Sequence, residues 1–195
     1  DMKAMTERAD QMRQSARRSK NNIQTRGSLG GDHQPYVGMK KGLIILVQFA
    51  DTKFWADHTP ALYQRIANEE GFKELDFNGS VKDYFKAQSY GQFELDFDIA
   101  GPVTLPNGYA YYGKPTNGQN DNNTALGEMV MDACKAVDES IDFTNYDWDG
   151  DGEVDQVFIL YAGHGEASWD DRNTIWPHEW NLHSALGRTL TLDGV

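Results

Sequence analysis

The densest chemistry in the chain lies in Asp147-Trp148-Asp149-Gly150-Asp151-Gly152-Glu153-Val154-Asp155, where carboxylates stand at the first, third, fifth and ninth positions and glycine at the sixth. Calcium takes about six to eight hard oxygen ligands, and carboxylates two residues apart converge on one ion when the backbone wraps around it. Gly152 permits the sharp turn such wrapping needs, and Glu153 offers a backbone carbonyl. Without a cation, carboxylates this close repel one another. The pattern departs from an EF-hand at its twelfth position, where Phe158 replaces a bidentate Glu, and an apolar strand follows instead of a helix. Asp155 is therefore expected to close the coordination sphere. The candidate calcium set is Asp147, Asp149, Asp151, Glu153 and Asp155. Its expected role is structural, pinning the entry to the strand Val157–Tyr161; the alternative is a solvated acidic turn.

Histidine supplies the other candidate chemistry. Two histidines four residues apart on a helix, as in H-E-x-x-H, lie about 40° apart and can share a zinc ion. His178-Glu179-Trp180-Asn181-Leu182-His183 has a spacing of five, which sets the rings roughly 140° apart. The pair is rejected as a zinc site and reads as part of a Trp-rich surface turn. His164 is the remaining candidate, in Tyr161-Ala162-Gly163-His164-Gly165-Glu166 at the end of an apolar strand, where function gathers in α/β folds. An apolar strand ending in Gly-His-Gly is similar to the catalytic-His segment of caspase-like and gingipain-like cysteine peptidases, in which the nucleophile follows the histidine. Here the single cysteine, Cys134, precedes it on the apolar stripe of a helix. A local, hydrogen-bonding role in a turn is the alternative for His164.

These residues are set in a chain of 195 residues with net charge −12. Residues 1–30 hold seven Lys/Arg and three Asp/Glu, whereas the rest holds 11 and 27. A basic arm beside an acidic body suggests two pieces that attract each other, the alternative being that the arm is an ordinary solvated helix; an acidic body argues against nucleic acid as partner, since phosphate binding needs clustered cations. No run approaches the roughly 18 apolar residues of a membrane span. One cysteine excludes an internal disulfide framework. Asp1 and the strand-like Leu190-Thr191-Leu192-Asp193-Gly194 imply that the parent sequence extends in both directions.

The elements that must position the loop and His164 follow from periodicity. A Met-rich helical stripe spans 2–20, and Gly and Pro break all periodicity over 21–42. Leu43 to Phe49 reads as a buried strand. Thr59-Pro60 starts a helix ending near Gly71, and Ser80-Val81-Lys82-Asp83 resembles a capping box opening another. Phe93, Leu95, Phe97 and Ile99 alternate with acidic residues, predicting a half-buried strand antiparallel to a neighbour. Residues 106–123 read as a polar loop. Leu126, Met129, Val130, Ala133, Cys134 and Val137 mark an amphipathic helix, Val157–Tyr161 a second buried strand, and Thr189–Leu192 a weaker one. The fold class is α/β (α+β mixed): a twisted mixed sheet with backing helices.

Taken in order, Lys41 to Asp51, Ser80-Val81-Lys82-Asp83-Tyr84-Phe85, Gln88-Ser89-Tyr90-Gly91-Gln92-Phe93, Gly101-Pro102-Val103, Tyr146 to Asp155 and Ile175-Trp176-Pro177-His178-Glu179-Trp180 resemble the immune-inhibitor-A-like family of secreted bacterial zinc metalloproteases. The resemblance covers about residues 38–187. It implies a zincin-like N-terminal (upper) subdomain over 38–195, a helical pro-segment over 1–37, extracellular protein or peptide substrates, structural calcium and a catalytic zinc. The family's H-E-x-x-H helix matches no residue here, so zinc ligands and general base are expected in a missing C-terminal half, and this segment alone is expected to be inactive. Two rival readings remain: a non-enzymatic calcium-stabilised module at the cell surface, and a cysteine-peptidase fragment using His164.

Overall fold

Leu43, Ile45, Leu46 and Val47 are all fully buried, and they form the middle of the central strand, β1 (Gly38–Gln48). A computed structural model of the chain describes residues 36–113, 123–169, 171, 173–177 and 179–195, all within one compact unit, Tyr36–Val195. The helix expected over 2–20, the linker up to 35, and His178 lie outside the described residues. Residues 38–42, expected to be linker, are instead the first half of β1. Their Gly and Lys content hides a strand whose backbone pairs from Gly38 onward.

Two further strands flank β1: β2 (Phe93–Thr104) and β3 (Val157–Tyr161). The order is β2-β1-β3, and both pairings are parallel. The alternation along β2 gives its faces, with Leu95 and Phe97 buried. The expected antiparallel direction is corrected. Two helices, α1 (Pro60–Asn68) and α2 (Val81–Gln88), carry the chain back to the starting end of β1 before β2 begins, and such a return makes neighbours parallel. Among the described residues the sheet is therefore parallel, not mixed.

Helix starts are set by local chemistry. Thr59 caps α1, its hydroxyl accepting from Leu62 N at 3.2 Å, with Pro60 at the first helical position. Ser80 and Asp83 form a reciprocal capping box on α2. Both helices cover β2 on the face of Leu95 and Phe97, where Ala67, Val81 and Phe85 complete a small core. The opposite face holds the main core. There Leu126, Met129, Ala133, Cys134 and Val137 of α4 (Asn123–Val137) meet Leu43, Ile45 and Val47. Successive crossovers in opposite directions along a parallel sheet place their helices on opposite faces, as here. The stretch expected as a polar loop contains a short helix, α3 (Tyr109–Gly113). Two more short helices follow β3, α5 (Glu166–Trp169) and α6 (Leu182–Leu186). α6 lies close against α4, and a Cβ on Gly127 would sit 2.8 Å from Leu186 Cγ. The strand expected at Thr189–Leu192 does not form. Leu190 and Leu192 instead pack on the main core, and a tight turn links Leu192 to Val195.

Candidate metal site

The acidic loop enters from a 3-10 turn, Phe143–Tyr146, whose last residue is buried and donates its hydroxyl to Asp98 Oδ2 at 2.9 Å. Asp147 then organises the loop. Its Oδ1 accepts from the backbone N–H of Gly150 (2.8 Å) and Asp151 (3.2 Å), and its Oδ2 accepts from Gly152 N–H (3.0 Å). Asp149 and Asp151 each accept from a backbone N–H two residues on. Gly150 and Gly152 adopt φ of 79° and 88°, the left-handed region where a side chain is disfavoured. One carboxylate oxygen from each of Asp147, Asp149 and Asp151 lies within 4.8 Å of the others.

Glu153 and Asp155 stand outside that grouping. The Asp155 carboxylate accepts from Trp148 N–H and from the Tyr36 hydroxyl. That bond raises the Tyr36 pKa above the usual phenol range, because ionising a phenol beside a carboxylate is unfavourable. Trp148 fastens the loop to the sheet. Its indole N–H donates to Lys41 O at 2.7 Å, its carbonyl accepts from Lys40 Nζ at 2.6 Å, and its ring meets Tyr36 edge-on at 5.2 Å and Phe93 at 5.9 Å. The sequence offered no sign of Tyr36, because its contact with Asp155 joins residues 119 apart.

His164 lies at the other end of β3. There the hydroxyl of Tyr109 donates to the His164 carbonyl and accepts from Ile175 N–H at 3.2 Å. Tyr161 donates its hydroxyl to Ile175 O at 3.3 Å, and Glu166 N–H donates to the same carbonyl at 2.9 Å. Asp51, just past β1, accepts from Tyr109 N–H at 2.8 Å, and this bond holds its carboxyl below the usual range. The backbone around His164 is thus fixed by a tyrosine that the sequence reading assigned to a loop. Cys134 is buried in the main core, and burial pushes its thiol up to about 12. A thiol held neutral at that depth is no nucleophile. His183 lies in α6.

The donors decide which ion the residues suit. Among the described residues, the Asp147–Asp149–Asp151 grouping is the one set of three or more His, Cys, Asp or Glu side chains able to share an ion. It offers oxygen alone, which suits a hard cation such as calcium. Zinc sites draw on imidazole or thiolate, and no described grouping includes either, so these residues do not fit a catalytic zinc.

The described residues form a parallel three-stranded sheet with helices on both faces and a carboxylate loop before its third strand. The chain belongs to a peptidase family: residues 35–193 match the profile of the immune inhibitor A peptidase M6 catalytic domain. Among its relatives is immune inhibitor A of Bacillus thuringiensis subsp. alesti, 29% identical over 179 residues that cover 75% of this chain and 26% of that protein. Another is the pre-pro-metalloprotease PrtV of Vibrio cholerae, 28% identical over 197 residues covering 82% of this chain and 21% of PrtV. The chain thus spans about a quarter of the length of these curated relatives.

Proposed function

We propose that residues 38–195 are the scaffold of a secreted zinc endopeptidase, arranged as the upper part of a zincin-like domain and stabilised by calcium. The match of residues 35–193 to a peptidase catalytic domain carries this reading. In the longer polypeptide, zinc would polarise a water for attack on a peptide carbonyl. Its ligands and the general base would come from outside the described residues. What this chain would supply is the sheet, part of the substrate cleft and the clamp before β3. Calcium would sit among Asp147, Asp149 and Asp151, a reading supported by their convergence on an all-oxygen set. Residues 1–37, which carry the basic charge of the sequence, would act as a pro-segment. Protein substrates and an extracellular setting follow from the same family, and no described helix is long and apolar enough to cross a membrane.

Two measurements test this. Calcium at about 100 times its Kd contributes about 2.7 kcal/mol, a rise in Tm of roughly 5–10 °C for a domain of this size. Joint Asp149→Asn and Asp151→Asn substitution abolishes that rise; an unchanged shift would remove calcium from the loop. The 195-residue chain leaves casein intact, whereas the full-length polypeptide cleaves it and stops when zinc is chelated. Zinc-dependent cleavage by the 195-residue chain alone would overturn the scaffold reading. A full-length polypeptide without hydrolytic activity would leave a calcium-stabilised binding module.

A further inference from the structure

We propose that Asn107 is a site of self-modification: its carboxamide cyclises onto the Gly108 nitrogen, and the isoaspartate that results loosens the backbone holding His164. An Asn followed by Gly suits this ring closure, because no side chain on the second residue hinders approach to its nitrogen. Base takes the Gly N–H proton, the nitrogen bonds to the Asn Cγ, and the Cγ–Nδ2 bond breaks with release of ammonia. Water then opens the five-membered imide. Attack at the side-chain carbonyl gives aspartate, and attack at the main-chain carbonyl gives isoaspartate. Water and solvent base are the co-reactants, and nothing is oxidised or reduced.

Asn-Gly occurs at Asn78, Asn107 and Asn117, and Asn117 lies outside the described residues. The other two have opposite surroundings. Gly79 N–H donates to Phe72 O at 2.8 Å, and the next amide, Ser80 N–H, is fixed to Asp83 Oδ2 at 2.9 Å. Freeing the Gly79 nitrogen breaks the Phe72 bond and disturbs the cap of α2. At Gly108, no acceptor among the described residues meets the N–H. The Asn107 carboxamide is held by a long bond, Nδ2 to the Tyr112 hydroxyl at 3.4 Å, and Asn107 is partly exposed, so water reaches it.

Isoaspartate lengthens the main chain by one carbon ahead of Gly108, where space is closed: a Cβ on Gly108 would stand 2.5 Å from Asp51 Oδ2. The Asp51 carboxylate accepts from Tyr109 N–H at 2.8 Å, a bond that favours its ionised form, so a new carboxylate at position 107 also repels it. Crowding and charge together part Asp51 from Tyr109 N–H. Tyr109 in turn donates its hydroxyl to the His164 carbonyl and accepts from Ile175 N–H at 3.2 Å. The modification therefore acts on the segment that follows β3.

Ageing the 195-residue chain at pH 8, folded and in urea, tests this without reference to peptide hydrolysis or calcium. Peptide mass mapping follows the gain of one mass unit at each Asn, and an isoaspartate-specific methyltransferase separates the two products. In urea Asn78 and Asn107 should convert at similar rates, whereas in the folded chain Asn107 should outpace Asn78 by about tenfold or more, as the ratio of open to closed amides requires. A smaller ratio in the folded chain overturns the site. Hydrogen exchange then reads the consequence: the Tyr109 amide should exchange about tenfold faster or more in the aged chain. It should stay unchanged in aged Asn107→Gln, which cannot close the five-membered ring. Asn107→Asp supplies the charge without the extra carbon and should give a smaller rise. A Tyr109 amide equally protected in fresh and fully converted chains overturns the link to His164.

Discussion

The carboxylates of the acidic loop differ in what they meet. Asp147, Asp149 and Asp151 converge, while Asp155 is committed to Trp148 N–H and the Tyr36 hydroxyl. Asp155→Ala strands a partly buried N–H, so chemical denaturation should register a loss of about 1–3 kcal/mol. Calcium affinity, measured by titration calorimetry, should change less than threefold; a loss of more than tenfold would return Asp155 to the ligand set. Cys134 gives a second prediction at this scale. Its buried thiol is held neutral, and thiolate is the reactive species. Labelling by an aromatic disulfide at pH 8 should therefore proceed no faster than global unfolding. Fast labelling of the native chain would contradict its place in the core. The convergence of Asp147, Asp149 and Asp151 was legible because carboxylates two residues apart are close in sequence. The bond between Asp155 and Tyr36 was not, because the two lie 119 residues apart.

At the scale of elements, the Ser80–Asp83 capping box can be tested piece by piece. Ser80 is buried, and its hydroxyl accepts from Asp83 N–H at 3.2 Å. Ser80→Ala should lower stability by about 1 kcal/mol. The Asp83 carboxylate accepts from Ser80 N–H and Gly71 N–H, and these bonds depress its pKa. A depressed folded pKa adds stability that is complete above the unfolded value of about 3.9 and fades as pH falls through the folded one. The Tm gap between the parent and Asp83→Asn should therefore be constant above about pH 5 and close below pH 4; a gap constant down to pH 2 would refute the assignment. The box, the Thr59-Pro60 start and the α4 stripe were all readable from sequence, because caps and amphipathic faces are set within a few residues. The direction of β2 was not, since alternation gives faces and says nothing of which end a strand enters from. Nor was α3, whose Tyr109-Ala110-Tyr111-Tyr112-Gly113 has no apolar period.

For the whole molecule, α/β class was legible from alternating strands and helices, whereas the strand order β2-β1-β3 depends on contacts no local pattern encodes. Ile45, fully buried at the centre of β1, reports on the integrity of that arrangement. Ile45→Ala should cost about 2–5 kcal/mol, seen as a lower urea midpoint; a loss under 1 kcal/mol would mean the main core is not organised around β1. The central position of β1 also governs the order of events during synthesis. The strand flanked on both sides in the folded sheet is the first of the three to be made, and β3 follows about 110 residues later, roughly 5–20 s at ordinary translation rates. Until β2 is made, about 45 residues after β1, Leu43-Ile44-Ile45-Leu46-Val47 stands without either partner, and one side stays open until β3. The three described strands can be paired together only when the acidic loop and β3 have emerged.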